Sequence, residues 1–330
     1  MISEGALAVA LGVTSGRVRT VRLTSTRPRN APRALVGRAL TEARVLVPLL
    51  FPVCGMAQAV AFERAVADAA GHAGEDAKDA IVLAEAAASH LFQLAIAWRD
   101  AAGAERDVSA VREVRANAAR LAKVARHDPP AAAALAEAIA ARVEPFTTGE
   151  APLLELVERE GRADFGEARG PGELVFDARH IGARLAADPA FAAHPTQDGA
   201  PRDASAFGVE ARGGLLARLR ARRLQARRHV EALRRARVVL ESRADHPSSG
   251  EGIGAAETAR GPLVHWLRVE DGKVADLRVV APTDWTFHPE GTLRDVLVGA
   301  PASPTLARDA GWLVLALDPC APFSIEVHDA

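Results

Sequence analysis

Tyrosine is absent from this chain of 330 residues, lysine occurs only at Lys78, Lys123 and Lys273, and aromatic residues amount to 4%. With 41 basic and 42 acidic residues there is no excess of either sign. That balance excludes the generic nucleic-acid binder, whose affinity comes mostly from surplus cations. Cysteine is scarce too: Cys54 and Cys320 lie too far apart for a secreted disulfide scaffold and fit a reducing compartment. No basic residue precedes Arg17, so the N-terminus lacks the charged start of a signal peptide, and a cytoplasmic location is expected. The preference for arginine over lysine, the abundance of alanine and the missing tyrosine read as base composition, not mechanism. Long apolar runs are also missing but for Val45 to Phe62, which sits at the lower limit for spanning a bilayer. Pro48, Pro52, Gly55 and Gln58 interrupt it, and two prolines in lipid would leave carbonyls unpaired. The expectation is a buried segment through a protein core and no membrane insertion.

What is present is an ordinary globular composition, 49% hydrophobic and 25% charged, which excludes a chain disordered throughout. Residues 5–25 alternate apolar and polar positions around Thr14-Ser15-Gly16, and Leu263 to Pro282 does the same around Asp271-Gly272; both are hairpin patterns. Between them, Phe62 to Ala70, Ala77 to Arg99, Val108 to Arg126, Pro130 to Val143 and Gly213 to Leu240 carry apolar residues at helical spacing. Gly161 to Gly172, Pro195 to Pro201 and Ser248 to Gly254 read as loops, and no repeat of fixed period is visible. The predicted class is α+β and predominantly α-helical: one domain over 1–330, with a helical body at 57–240 and a C-terminal β region with a cysteine motif at 257–330.

Both cysteines stand in stiff settings, Phe51-Pro52-Val53-Cys54-Gly55 and Asp318-Pro319-Cys320-Ala321-Pro322. Proline fixes the backbone beside each thiol, so each would point in a preset direction. Free cysteine is also a common core residue, and two thiols alone are not a full metal site. His265, His288 and His328 are further candidates for such a site, although a lone histidine is more often structural. Arg218 to Arg237 is the one basic cluster; Leu219, Ala226, Val230 and Leu233 give it an apolar stripe, which predicts a surface helix with a charged outer face. Nucleic-acid contact is not expected there, since no aromatic platform lies beside it, while an acidic protein partner fits. Glycines 250, 252 and 254 mimic a phosphate loop only faintly, because no Lys-Ser/Thr follows.

A series of motifs runs in order along most of the chain: Arg29 with Gly37-Arg38, Cys54-Gly55 with Ala57 to Ala69, Glu85 with Ser89-His90, His194 to Pro201, Glu257 to Val274, Ala281 to Gly291, and Asp318-Pro319-Cys320. Their order resembles the large subunit of nickel–iron hydrogenases, and more closely the shortened hydrogenase-like accessory proteins of the HupK/HoxV type. The resemblance implies the large-subunit fold, with Cys54 and Cys320 converging although most of the chain separates them. It also marks what is missing. The enzymes hold nickel and iron with two CxxC motifs, but here Ala57 and Phe323 replace the second cysteine of each. Histidines expected after the motifs are Ala61 and Glu326, with His328 displaced, and the glutamate that passes protons is Pro32.

What remains implies a pocket. By resemblance Arg260, Pro282 and Thr283 line the surroundings of the iron's cyanide ligands, and Cys54 and Cys320 are the protein thiolates. Guanidinium and hydroxyl groups are suitable donors to anionic diatomic ligands. With Ala330 two residues after His328, the resemblance also implies no C-terminal processing step. The expected role is a non-catalytic accessory protein of hydrogenase maturation that transiently binds iron as Fe(CN)2CO, with nickel not expected. Its expected partners are the hydrogenase large-subunit precursor and small assembly chaperones. Two alternatives stay open: a divergent large subunit acting as a redox enzyme, and a metal-free paralogue that stabilises hydrogenase subunits.

Overall fold

The alternating N-terminal segment forms strands β1 (Leu7–Thr14) and β2 (Arg17–Ser25), joined through Ser15 and Gly16, both at positive φ. This is the twist-matched two-residue turn that the sequence announced. The computed structural model describes residues 5–51, 53–72, 79–167, 172–205, 213–235 and 250–329. Pro52, the first residues of the helix expected from Ala77, positions 236–240 of the basic helix, and positions 248 and 249 lie outside the described residues.

Two helices follow the hairpin, α1 (Leu40–Leu50) and α2 (Gly55–Ala69). The uncharged run at Val45 to Phe62 is therefore not one buried segment. Ala43 and Val47 of α1 face inward, but Val45 and Leu49 are 66% and 68% exposed, while α2 is buried along most of its length. Helix α3 (Asp79–Phe92) continues through a π-helical stretch, Gln93–Ala97, into α4 (Trp98–Ala101). This composite helix is long and apolar enough to cross a membrane by composition, yet most of it is covered by protein. It packs with α5 (Val108–Val124) and α6 (Pro129–Thr148), whose first turns are capped by Asp107 and Asp128 side chains accepting from Ala110 N and Ala131 N. The short helices α7 (Pro152–Arg159) and α8 (Ala178–Ala187) lead to α9 (Gly214–Arg235).

Helix α9 is the basic segment, and it is not a surface helix. Its apolar stripe packs as expected, but Arg218, Arg222, Gln225 and His229 form a second buried stripe at i, i+4, i+7 and i+11. Three of the four find partners there: Arg222 Nη1 donates to Ala259 O at 2.7 Å, His229 Nδ1 lies 3.0 Å from His90 Nε2, and Arg218 lies 3.8 Å from Asp203 Oδ2. Arginine count alone cannot reveal this, because a buried guanidinium is tolerated only where carbonyls and carboxylates meet it.

A second sheet comprises β3 (Glu251–Thr258), β4 (Gly261–Glu270) and β5 (Lys273–Val280), all antiparallel. The segment read as a loop at Ser248 to Gly254 is thus strand from Glu251 onward. Its glycines serve close approach: a Cβ on Gly252 or Gly254 would lie 2.0 Å from the carbonyl oxygen of Ala65 or Ala61. Alanines at 57, 61, 65 and 69 flatten the facing side of α2, so the strand and helix backbones touch. After α10 (Pro282–Thr286), α11 (Thr292–Leu297) and α12 (Leu306–Leu317), the chain closes with β6 (Phe323–Asp329). Strand β6 pairs in parallel with β1, giving the order β2-β1-β6, with Leu7 opposite Phe323 and Gly12 opposite His328. The fold class is α+β and mainly helical, with both ends of the chain in one sheet.

Candidate functional site

Cys54 sits at the N-cap of α2, and Cys320 in the turn between α12 and β6. Asp318, which ends α12, and Cys320 both have positive φ, at 57° and 59°, so the chain doubles back tightly. That costs conformational energy for residues other than glycine. The two thiols, both free, meet on the wall of one cavity, close enough to shift each other's proton affinity.

Their proximity divides their chemistry. The interaction with Cys320, together with burial, pushes the Cys54 thiol well above its ordinary pKa. The interaction with Cys54, joined by the nearby guanidinium groups of Arg260 and Arg27, brings Cys320 down to about 6 against the effect of burial.

The surroundings are built from four directions. Gln58, one turn into α2, places Nε2 3.7 Å from Cys54 Sγ, and its Oε1 is 2.7 Å from His265 Nε2. His265 is fully buried on β4, and desolvation pulls it down to about 3, so it stays neutral. Glu85 of α3 accepts from Met56 N and Ala57 N, both at 2.9 Å, and so closes the first turn of α2. Burial pushes its carboxyl up to about 7 against those two bonds. Arg260 occupies the tight β3–β4 turn, where Thr258 Oγ1 accepts from its backbone N–H at 3.1 Å. Its Nη2 donates to Asp318 Oδ1 at 2.9 Å, Gln93 Nε2 donates to the same oxygen at 2.8 Å, and Arg222 lies 3.6 Å from Asp318 Oδ2. Gln93 comes from the π-helical stretch, a local widening of the helix often found at functional sites.

In front of the thiols lies a cavity of about 270 Å³. Cys54, Cys320, Gln58 and Thr283 are on its wall, with Arg27 and the mostly apolar residues of the β2–α1 and β5–α10 connections. Thr283 is in the first turn of α10, next to Pro282, which starts that helix and is buried behind the wall. Arg260 is likewise not a lining residue; it stands behind the thiols. Of the candidate histidines, His265 reaches Cys54 only through Gln58. His288 accepts from Glu290 N and faces His194, with ring centroids 5.6 Å apart. His328 is exposed on β6 beside Glu326. Among the described residues no group of three or more histidine, cysteine or carboxylate side chains is arranged to hold a metal ion. Gln58, Gln93, Arg222 and Arg27 were not visible as site residues in the sequence.

A family described as nickel-dependent hydrogenase matches residues 217–301. The chain is 31% identical to the hydrogenase expression/formation protein HupK of Rhizobium leguminosarum bv. viciae, covering 100% of this chain and 98% of the relative. It is 34% identical to HupK of Azotobacter vinelandii, covering 99% of each. Among solved structures, the reduced Ni-Fe-Se hydrogenase of D. vulgaris Hildenborough superposes with a TM-score of 0.62 at 15% identity, covering 93% of this chain and 94% of that one. The fold is accordingly that of the nickel–iron hydrogenase large subunit. By identity and coverage together, the chain belongs to the HupK-type family of hydrogenase expression/formation proteins.

Proposed function

We propose that this protein serves hydrogenase maturation as a scaffold that holds iron carrying cyanide and carbon monoxide, Fe(CN)2CO, before the iron passes to the large-subunit precursor. The maturation role is supported by the family, whose full-length relatives are named as expression/formation proteins. The observation that carries the finer reading is the pair Cys54 and Cys320 on the wall of one cavity, with charged side chains behind it. The cargo is a substrate here, received and released.

The donor set fits such a cargo. Thiolates are soft ligands suited to low-valent iron. Cys320 is the more readily ionised of the two thiols, and Cys54 releases its proton as iron binds. Arg260, held by Asp318, offsets the charge of two thiolates, and Thr283 lines the cavity with them. Ala57 and Phe323 stand where a second pair of thiols would complete a bimetallic centre, so nickel is not accommodated in this reading. Two protein ligands also leave the iron free to depart, as a transfer scaffold requires. In this role the protein works in the cytoplasm with the large-subunit precursor and small assembly chaperones. Infrared spectroscopy and elemental analysis of anaerobically purified protein test the proposal. Cyanide and carbonyl stretching bands with bound iron are expected; protein that matures its hydrogenase while carrying neither defeats it.

A further inference from the structure

The guanidinium groups on the cavity wall are those of Arg27 and Arg29, not Arg260. Arg260 is off the cavity wall with Nη2 committed to Asp318, whereas Arg27 lines the cavity that the thiols share. Resting on the cargo reading above, we infer that Arg27 determines the specificity of this pocket: together with Thr283 it donates hydrogen bonds to the anionic ligands on the iron.

Three observations carry this. The backbone of Arg27 is fixed immediately after β2. Thr26 N donates to Ala6 O, Ala6 N donates to Thr26 Oγ1, and Arg29 N donates to Arg27 O. Gly5, at φ +70°, packs against it so closely that a Cβ there would lie 2.6 Å from Arg27 Cα. A side chain on a pinned backbone loses less freedom when it binds. Second, Arg27 Nη1 donates to Thr283 Oγ1 at 2.7 Å, and its guanidinium makes no other hydrogen bond among the described residues, although the Asp284 carboxylate, also on the cavity wall, feels its charge. Those donors face the cavity and solvent. Third, a guanidinium cannot accept. The Thr283 hydroxyl therefore turns its own hydrogen away from Arg27, and no described residue accepts it. One arginine thus contributes its own donors and fixes a hydroxyl as a donor, both on the same wall.

This arrangement recognises a guest with acceptor atoms at its periphery, as the nitrogen ends of iron-bound cyanide are. A bare ferrous ion would gain nothing from Arg27, because a cation is repelled there. The second cation on the wall, Arg29, is spent otherwise: its Nη1 donates to Ala193 O at 2.5 Å.

The test compares unsubstituted protein with Arg27→Gln, Arg27→Lys and Arg29→Gln, each isolated anaerobically from a strain that makes the cargo. In Arg27→Gln at least one cyanide band shifts, and retention of cyanide-bearing iron falls roughly ten- to hundredfold, the worth of hydrogen bonds to a charged group. Binding of ferrous ion alone, measured by equilibrium dialysis, is unchanged or improved. Arg27→Lys keeps the charge without the planar fork, so its bands shift while the fold is kept, which preserves the test should the glutamine variant unfold. Arg29→Gln leaves the bands in place. Unshifted bands with full retention in both Arg27 variants overturn the inference. Equal shifts in Arg29→Gln also overturn it, because general cavity charge would then suffice. If the unsubstituted protein has no cyanide bands, the cargo reading itself fails and takes this inference with it.

Discussion

Cys54 and Cys320 form one site on two different kinds of support. Cys54 caps a helix that is buried on most sides, with its first turn closed by Glu85 and its flank set against the glycines of β3. Cys320 hangs from a turn at positive φ, followed by β6, an edge strand whose residues are partly or largely exposed. The first thiol is fixed by packing and holds its proton. The second is fixed by charge and backbone conformation and gives its proton up. A site that must accept and then surrender a ligand gains from such asymmetry, because one sulfur stays in register while the other lies on the less deeply packed side.

The sharpest way to break the comparison is to remove either sulfur. Cys54→Ser and Cys320→Ser should each reduce iron retention by at least roughly tenfold, since a hydroxyl is a poor ligand for soft iron. Maturation of the partner hydrogenase should fall with it. Full maturation in both variants would leave the metal-free stabilising role as the better account.

Next in size is the charged support of Cys320. Asp318→Ala leaves Arg260 and Arg222 buried without their shared carboxylate. The loss should be about 3–5 kcal/mol in denaturant unfolding, the range for breaking a buried pair on one side. A loss below about 1 kcal/mol would show that the guanidinium groups find other partners.

On the Cys54 side the support is steric. Gly254→Ala drives a methyl into the Ala61 carbonyl and should cost roughly 1–3 kcal/mol, with α2 shifted and iron retention reduced. An unchanged melting temperature would mean that β3 does not pin the helix.

The smallest effect is a slope. Glu85, raised from 4.5 to about 7, keeps a proton in the folded protein that the unfolded chain releases. Stability should therefore decline as pH rises from about 4.5 to 7, and Glu85→Gln should flatten that decline. Cys320 has the opposite sign: lowered from 9.0 to about 6, it adds stability that is complete above 9 and is lost as pH falls through 6. Unfolding measured between pH 5 and 9 in the wild type, Glu85→Gln and Cys320→Ser separates the two contributions. A decline that persists in Glu85→Gln assigns it to another group.

Much of the fold was legible because hairpins and long helices write their periods into the sequence. Asp271-Gly272 marks a turn whatever surrounds it, and so does Ser15-Gly16. Strand β3 was not legible, since its glycines look like a loop until α2 is seen against them. Nor was β6, a strand of seven residues whose partner is at the other end of the chain. The thiols and Thr283 were legible through their motifs. The residues that tune them were not, because Arg222 stands in a run of arginines and Gln58 in a run of alanines, and only packing distinguishes the one that turns inward.

Because Leu7 pairs with Phe323, the pocket has no local precursor. Helices can form early from neighbouring residues, but a parallel pairing between such distant segments is entropically late. Neither a nascent chain nor a partly folded one possesses the site, and a fragment lacking β1 or β6 lacks it as well. The cavity is thus a report on completed folding: whatever binds there selects finished molecules and, by mass action, protects them from reopening.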